Sequence, residues 1–334
     1  MQLQITHETH YEYAPAVSIA QHMAYLQPRQ STVQRLLGFS LWISPEPAQQ
    51  SSTLDVYGNH RNFFSLQVAH KQLQVTARSV VATRAQPLPQ SAVAWEVVRE
   101  TFRYTAGAAV DPAAEFVFAS PFVPRHADFA AYARPSFDTA QSLYRCALDL
   151  MQRIHRDFVY ESQSTEVNTP ALDALHQRKG VCQDFAHIMV ACLRAMGLAA
   201  RYVSGYLLTQ PEPGQPRLIG SDASHAWVAV YLPDLPAEAR WVDFDPTNDR
   251  CGWGSPGEDY VTLAWGRDYA DVSPIRGVIH GGAHHTLTVG VTVEPWLDVM
   301  GQSQSQSQSQ SQSQSQSQSQ GQSQSQSQSQ ITII

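Results

Sequence analysis

GVCQDFAHIMVACLRAMG, residues 180–197, is the stretch of sequence on which the fold prediction depends. Apolar residues recur in it at intervals of three and four from Phe185 to Met196, which predicts a helix with a buried apolar face. Gly197 follows as a C′ residue, since glycine readily adopts the left-handed backbone that ends many helices. Cys182 therefore lies at or near the N-terminus of a buried helix.

This position makes Cys182 a candidate nucleophile. Backbone N–H groups at a helix N-terminus have no partner within the helix, and the helix dipole is positive there. Both stabilise a thiolate, the nucleophilic form of cysteine, and the same N–H groups can stabilise an oxyanion that forms beside the sulfur. Cys192, on the same helix, is expected to be a buried structural thiol.

The segments around this helix predict an α+β fold. Helical spacing covers residues 143–154, with Ser136 or Asp138 as the expected cap, and a shorter helix is expected after Pro170. Helices followed by an antiparallel sheet are typical of α+β domains. The predicted strands of the core and of its C-terminal extension are 200–208, 225–232, 240–244 and 286–293.

A nucleophilic cysteine needs a histidine beside it and a third polar group that orients the imidazole. His225 follows a polar loop and opens an apolar strand, so it lies at the edge of a rigid element. Asp245 ends the next strand, and a hairpin would bring these two strand ends together. Asp243 lies two residues earlier and shares that strand face. The spacing alone leaves open which aspartate orients the histidine.

Three motifs in this order resemble the catalytic core of the transglutaminase-like superfamily, which contains papain-like cysteine enzymes with the chain order Cys, His, Asp. The resemblance covers about residues 140–280. The segments WGRDYADVSPIRGVIHGG (265–282) and DVYGN (55–59), with the β-rich sequence around the latter, resemble the bacterial branch. The three motifs are RKGVCQDFAHIMVACLRAMGLAARYVSGYL (178–207), SHAWVAVYLP (224–233) and WVDFDPTND (241–249).

The resemblance implies roles for the residues at these positions. Cys182 is the implied nucleophile, His225 the general base that later acts as general acid, and Asp245, directly before a proline–threonine pair, the residue that orients the imidazole. Asp184, in the first helical turn, is interpreted as structural or supporting. The implied reaction is acyl transfer on amide or peptide bonds through a thioester on Cys182, with a protein or peptide substrate and no cofactor.

Water or an amine could accept the acyl group, giving a protease or amidase in the first case and a crosslinking transglutaminase in the second. Animal transglutaminases have a glutamine directly before the cysteine, and this chain has Val181 there. Hydrolysis is therefore the favoured prediction. A non-catalytic protein- or peptide-binding module on the same fold is the other alternative.

Metal binding is not predicted. His280, His284 and His285 cluster in HGGAHH, but no cysteine or carboxylate completes a set of ligands there. No loop of spaced acidic residues suggests calcium.

The first ninety residues predict a β-rich domain, because Phe64, Leu66 and Val68 alternate with polar neighbours after a turn at Gly58-Asn59. No motif there indicates chemistry, and its histidines are expected to be surface or strand residues. The predicted organisation is a β-rich domain over 1–88, a connector with short elements over 89–135, a catalytic core with its extension over 136–298, and a tail over 299–334.

Composition limits the function further. The net charge of −7 comes without a Lys/Arg run, which argues against nucleic-acid binding. Neither a membrane-spanning apolar run nor a secretory leader is apparent, and four cysteines without CxxC pairs argue against a disulfide framework. A cytoplasmic protein is expected, with its oligomeric state left open. Residues 301–330 contain 15 Gln, 13 Ser and 2 Gly, which predicts disorder.

Overall fold

The computed structural model describes residues 1–87, 90–107, 109–161, 169–208, 224–282 and 284–296.

A long first strand, β1 (Gln2–Ala24), organises an antiparallel sheet of seven strands. The first half of β1 pairs with β5 (His70–Thr83) and β14 (His284–Pro295), and its second half pairs with β4 (His60–Leu66) and β13 (Ile275–Gly281). The strands β2 (Gln34–Ser44) and β3 (Gln49–Leu54) complete the sheet beyond β5 and β4.

The two halves of β1 contribute to different apolar clusters. Leu3 and Ile5 are buried against the helical core, whereas Val17 and Ala20 are buried in a smaller cluster within the sheet itself. The predicted β-rich N-terminal region is confirmed. Gly58 has a φ of 72°, which is the left-handed conformation that its predicted turn requires.

The second sheet forms one layer of the core. Its five antiparallel strands lie in the order β11-β10-β9-β8-β12, and consecutive strands of the chain mostly pair as neighbours. Apolar side chains from alternate positions of these strands join the same buried cluster as the helices, so helices pack on this sheet and the α+β prediction is confirmed. The strands are β8 (Ala200–Leu207), β9 (Ser224–Tyr231), β10 (Trp241–Asp245), β11 (Arg250–Trp253) and β12 (Tyr260–Gly266).

Six α-helices and a short parallel strand pair complete the described part of the chain. The predicted helix over 143–154 is present, but Ser142 caps it by accepting from Arg145 N at 3.4 Å, and neither Ser136 nor Asp138 does so. The helix begins further along the chain than either predicted cap suggested, because Ser136 belongs to a short 3₁₀ turn, Arg134–Ser136, that comes first. The helices are α1 (Trp95–Thr101), α2 (Ala127–Ala133), α3 (Leu143–Asp157), α4 (Ala171–Gln177), α5 (Cys182–Ala195) and α6 (Tyr269–Val272), and the strand pair is β6 (Val159–Tyr160) with β7 (Lys179–Gly180).

Helix α5 lies at the centre of the core, and every residue from Asp184 to Arg194 is buried. It ends as predicted, since Gly197 has a φ of 81°. The buried Arg194 guanidinium donates to the carbonyls of Ala200 and Arg267, which ties the end of the helix to the sheet. This burial holds the start of α5, and therefore Cys182, in a fixed place.

The last described strands return to the beginning of the chain. Strands β13 and β14 pair with β1, so the C-terminal extension of the core contributes to the first sheet, and Met1–Pro295 forms one compact unit. The predicted disordered tail lies outside the described residues. Among the helices that the structure describes, none is long and apolar enough to cross a membrane.

Candidate active site

Cys182 is the first residue of α5, and its side chain is partly exposed to a cavity. The turn that leads into it depends on Asp184, whose carboxylate accepts the Val181 N–H at 2.9 Å. A Cβ on Gly180 would stand 2.6 Å from that carboxylate, so glycine is required for the approach. Asp184 therefore acts on the backbone at the helix start, as the sequence interpretation proposed.

His225 and Asp245 meet at one end of a strand hairpin. Strand β9 begins beside His225 and the antiparallel β10 ends at Asp245, with Val228 opposite Phe244 in the register. The distance from His225 Nε2 to Asp245 Oδ2 is 2.7 Å. The Asp245 side chain is fully buried and the His225 side chain is 6% exposed, so solvent screens their interaction little.

Three further groups surround the Asp245 carboxylate. The Thr247 N–H donates to Oδ1 at 2.9 Å, and Asn248 Nδ2 and the Tyr260 hydroxyl donate to Oδ2, each at 2.7 Å. Burial alone would raise the pKa of Asp245, but the charge of His225 and these side-chain hydrogen bonds lower it below the usual value. Asp245 is therefore held as a carboxylate.

The imidazole of His225 interacts with Cys182 as well as with Asp245. Burial alone would lower the pKa of His225, but the charge and hydrogen bond of Asp245 raise it, with a smaller contribution from the hydrogen bond and charge of Cys182. Because Nε2 faces the aspartate, Nδ1 is the ring nitrogen left for the thiol. The imidazole thus contacts the Asp245 carboxylate, and Cys182 contributes to the same upward shift of its pKa.

Asp243 lies on the same face of β10 but has a different partner. Its carboxylate accepts from Trp227 Nε1 at 2.7 Å. Burial raises the pKa of Asp243, and the charge of Arg201 and the Trp227 hydrogen bond oppose this effect. The Arg201 guanidinium lies 3.7 Å from the centroid of the Trp265 ring. Asp243 therefore interacts with Trp227 and Arg201, and Asp245 is the aspartate that contacts His225.

A cavity of about 390 Å³ lies beside Cys182 and His225. Tyr202, Tyr206 and Tyr269 form much of its wall, and none of the described residues that line it is Asp, Glu, Lys or Arg. A larger and more open groove of about 660 Å³ near the cis Ser44–Pro45 bond contains none of the three candidate residues. The smaller cavity is the one that gives a ligand access to the sulfur.

The first sheet also contributes to this cavity, which the sequence analysis did not predict. His7, Thr9 and Tyr11 of β1 line it, together with Leu287 and Val289 of β14. The sequence analysis found no motif for chemistry in the N-terminal region and did not place any of its residues beside this cavity. No local motif could have revealed it, because these residues reach the cavity only through the pairing of β1 with β14 and the packing of that sheet on the core.

Tyr260 and Asn248 were likewise not singled out from the sequence. Asn248 falls within the quoted motif WVDFDPTND, so a search for polar groups near Asp245 could have found it. Tyr260 comes from β12, two strands away from β9, and carries no such signal.

The histidines of HGGAHH lie on β13 and β14. His280 Nδ1 is 3.0 Å from the Ser18 hydroxyl, and His284 and His285 are exposed. Within the described ranges, no group of three or more His, Cys, Asp or Glu side chains could hold a metal ion. The four cysteines are all free thiols.

Comparison with known proteins identifies the family. The profile of the transglutaminase-like superfamily matches residues 130–246, and that of the bacterial transglutaminase-like N-terminal region matches residues 3–82. Uncharacterized proteins of Mycobacterium bovis and Mycobacterium tuberculosis are 40% identical over 300 residues, which is 87% of this chain and 92% of theirs. The chain belongs to the transglutaminase-like superfamily, and this membership supports a cysteine-based enzyme.

Two further similarities concern the fold and part of the core. A crystal structure from Cytophaga hutchinsonii, described as a candidate cysteine protease, has the same fold, with a TM-score of 0.66 and 21% identity over 89% of this chain and 94% of that one. A protein-glutamine gamma-glutamyltransferase of Pseudomonas aeruginosa is 33% identical over 102 residues, which is 29% of this chain and 15% of that protein.

Proposed function

We propose that this protein is a cysteine enzyme that transfers acyl groups from amide or peptide bonds through a thioester on Cys182, with water as the favoured acceptor. The observation that carries the proposal is the linked arrangement of Cys182, His225 and Asp245 beside a cavity. A buried imidazole whose pKa is raised by a carboxylate, next to a thiol at a helix N-terminus, suits a thiolate–imidazolium pair.

In the proposed first step, the Cys182 sulfur attacks the substrate carbonyl carbon and a C–S bond forms. The resulting oxyanion is stabilised by backbone N–H groups at the start of α5. The His225 imidazolium gives its proton to the leaving nitrogen, the C–N bond breaks, and a thioester and a free amine result. Asp245 keeps the imidazole oriented throughout.

In the second step, His225 takes a proton from water as the water oxygen attacks the thioester carbonyl. The C–S bond then breaks and a carboxylic acid leaves, which restores the thiolate and the imidazolium. The balance of the two steps is an amide and water converted to an acid and an amine.

An amine acceptor in the second step would make the protein a transglutaminase. The similarity to a protein-glutamine gamma-glutamyltransferase of Pseudomonas aeruginosa over 102 residues favours this second candidate. Val181 in place of the glutamine of animal transglutaminases and the shared fold with a candidate cysteine protease favour hydrolysis.

The test uses the full chain with a peptide library in the presence and absence of a fluorescent primary amine. Cleavage with little amine incorporation supports hydrolysis, and incorporation without cleavage makes the protein a transglutaminase. The Cys182→Ala variant is expected to lose either activity, whereas Cys251→Ala, at another partly exposed thiol, is the matched control. Undiminished turnover by Cys182→Ala would contradict the thiol mechanism.

A further inference from the structure

Two buried polar side chains of strand β1 have no hydrogen-bonding partner for one of their atoms. Within the described part of the chain, His7 Nε2 and Thr9 Oγ1 contact neither a donor nor an acceptor, although both residues are almost fully buried. Unpaired buried polar atoms are rare in proteins because each one loses its hydrogen bonds to water on folding. Both side chains line the cavity beside Cys182.

The positions of His7 and Thr9 make them a pair. They are two residues apart on one strand, so their side chains project from the same face of the sheet. Further along the strand, Tyr11 lines the cavity on that same face. The two unpaired atoms therefore belong to one wall of the cavity, on the side that the N-terminal region contributes.

The other nitrogen of His7 determines what Nε2 offers. His7 Nδ1 is 2.9 Å from the Tyr206 hydroxyl, which has no other partner among the described residues. A buried hydroxyl proton needs an acceptor, so Tyr206 donates and Nδ1 accepts. Burial lowers the pKa of His7 to about 4, so the ring is neutral near pH 7 and carries its single proton on Nε2.

The wall as a whole excludes charge. His7 offers an N–H donor, and the Thr9 hydroxyl can donate or accept. The other residues of the wall include Tyr11, Tyr202, Leu287 and Val289. Apart from the paired Cys182 and His225, the described lining has no acidic or basic side chain that could neutralise an ionic group. A charged group in such a cavity would lose its hydration without compensation.

We propose that the cavity beside Cys182 takes a neutral, mainly aromatic or apolar substrate side chain with one hydrogen-bonding group at its end, and that His7 and Thr9 bind this group. The N-terminal sheet is then a specificity element of the site. The inference rests on the proposed function only in calling the occupant a substrate.

The test measures binding, so that it gives an answer even if no turnover is found. Three small amides are titrated by calorimetry into the full chain carrying Cys182→Ala: N-acetyltyrosinamide, N-acetylphenylalaninamide, and N-acetyl-4-carboxyphenylalaninamide. The tyrosine amide is expected to bind about tenfold more tightly than the phenylalanine amide, because one hydrogen bond is added. The carboxylated amide is expected to bind most weakly.

Two variants test whether Thr9 and His7 cause the preference for the tyrosine amide over the phenylalanine amide. Thr9→Val keeps the shape of the side chain and removes the hydroxyl, and it is expected to reduce the tyrosine preference to about threefold or less. His7→Leu is expected to do the same, and Thr9→Val decides the matter if His7→Leu does not fold. Thr6→Val is the matched control, since Thr6 lies on the same strand with its side chain on the opposite face.

Several results would overturn the proposal. These are equal affinity for the tyrosine and phenylalanine amides, a preference that survives Thr9→Val, tighter binding of the carboxylated amide, or no binding of any of the three. A failure of the peptide-library experiment with full binding preference would contradict the proposed function and leave this inference intact.

Discussion

The Tyr260 hydroxyl donates a hydrogen bond of 2.7 Å to Asp245 Oδ2, the same oxygen that faces His225 Nε2. Tyr260 is fully buried, and burial and the charge of Asp245 raise its pKa, so the hydroxyl stays a donor. Through Asp245, a residue of β12 that does not touch the sulfur acts on the imidazole. We therefore expect Tyr260 to act as a positioning residue of the candidate site.

Tyr260→Phe is expected to lower kcat/KM roughly five- to tenfold, the loss of about 1 kcal/mol that one hydrogen bond contributes. Because this bond helps to lower the pKa of Asp245, its removal raises that pKa, and the acidic limb of the pH–rate profile moves to higher pH. Tyr132→Phe, which removes a hydroxyl 3.0 Å from Asp157, is the matched control. An unchanged profile in Tyr260→Phe would limit the tyrosine to a packing role.

Asp245→Asn and Asp243→Asn are expected to impair different properties, catalysis in the first case and stability in the second. Asp245→Asn should lower kcat roughly 10³-fold or more, because the amide no longer stabilises the imidazolium. Asp243→Asn should leave kcat within about tenfold and lower the melting temperature, since Arg201 then lacks its buried counter-charge. Steady-state kinetics and thermal melts of both variants distinguish the two roles. The reverse pattern would make Asp243 the orienting residue.

Cys182 is expected to react with iodoacetamide at pH 7 at least about tenfold faster than the other three cysteines. Cys146 and Cys192 are fully buried, and burial raises the pKa of both thiols, for Cys146 to about 12. Cys251 is partly exposed and therefore serves as the internal comparison. Mass spectrometry of the digested protein gives the four rates. Equal rates at Cys182 and Cys251 would favour a non-catalytic binding module.

The free energy of unfolding is expected to fall as the pH is lowered from about 6.5 to 4. Burial lowers the pKa of His7 and His22 to about 4 and of His187 to about 3, so these rings are neutral in the folded chain. In this window the unfolded chain binds more protons than the folded chain, so acidification favours unfolding. The free energy of unfolding is expected to fall by on the order of 2–3 kcal/mol per histidine at pH 4. Above the ordinary pKa of histidine these rings are neutral in both the folded and the unfolded chain, so their contribution to the free energy of unfolding no longer changes with pH.

His22→Leu tests this directly, because both ring nitrogens of His22 lack partners among the described residues. The variant is expected to lose less stability between pH 7 and 5 in urea denaturation than the parent chain. His10→Leu, on the same strand but partly exposed, is the control. The same slope in His22→Leu and the parent would mean that this ring does not drive the acid sensitivity.

Local patterns in the sequence were enough to predict the positions of the main candidate residues on their helix and strands. The start of α5 at Cys182, its end before Gly197 and the strand ends that carry His225 and Asp245 could all be predicted, because helix periodicity, caps and strand alternation depend on neighbouring residues. The placement of Ser142 as the cap of α3 could not be predicted, because it depends on a 3₁₀ turn that contains Ser136, whose hydroxyl accepts from Arg153 instead.

Only the tertiary structure decided which distant groups meet. The spacing of Asp243 and Asp245 puts both on one face of the strand. The register between strands then places Trp227 beside Asp243 and His225 beside Asp245. Tyr260 reaches Asp245 from another strand, and His7 and Thr9 reach the cavity from a separate sheet. Burial and hydrogen bonding between residues far apart in the chain depend on packing, for which a single sequence carries no local signal. The sequence alone therefore indicated the thiol, imidazole and carboxylate of the candidate site, and the packing of the two sheets decided which other groups surround them.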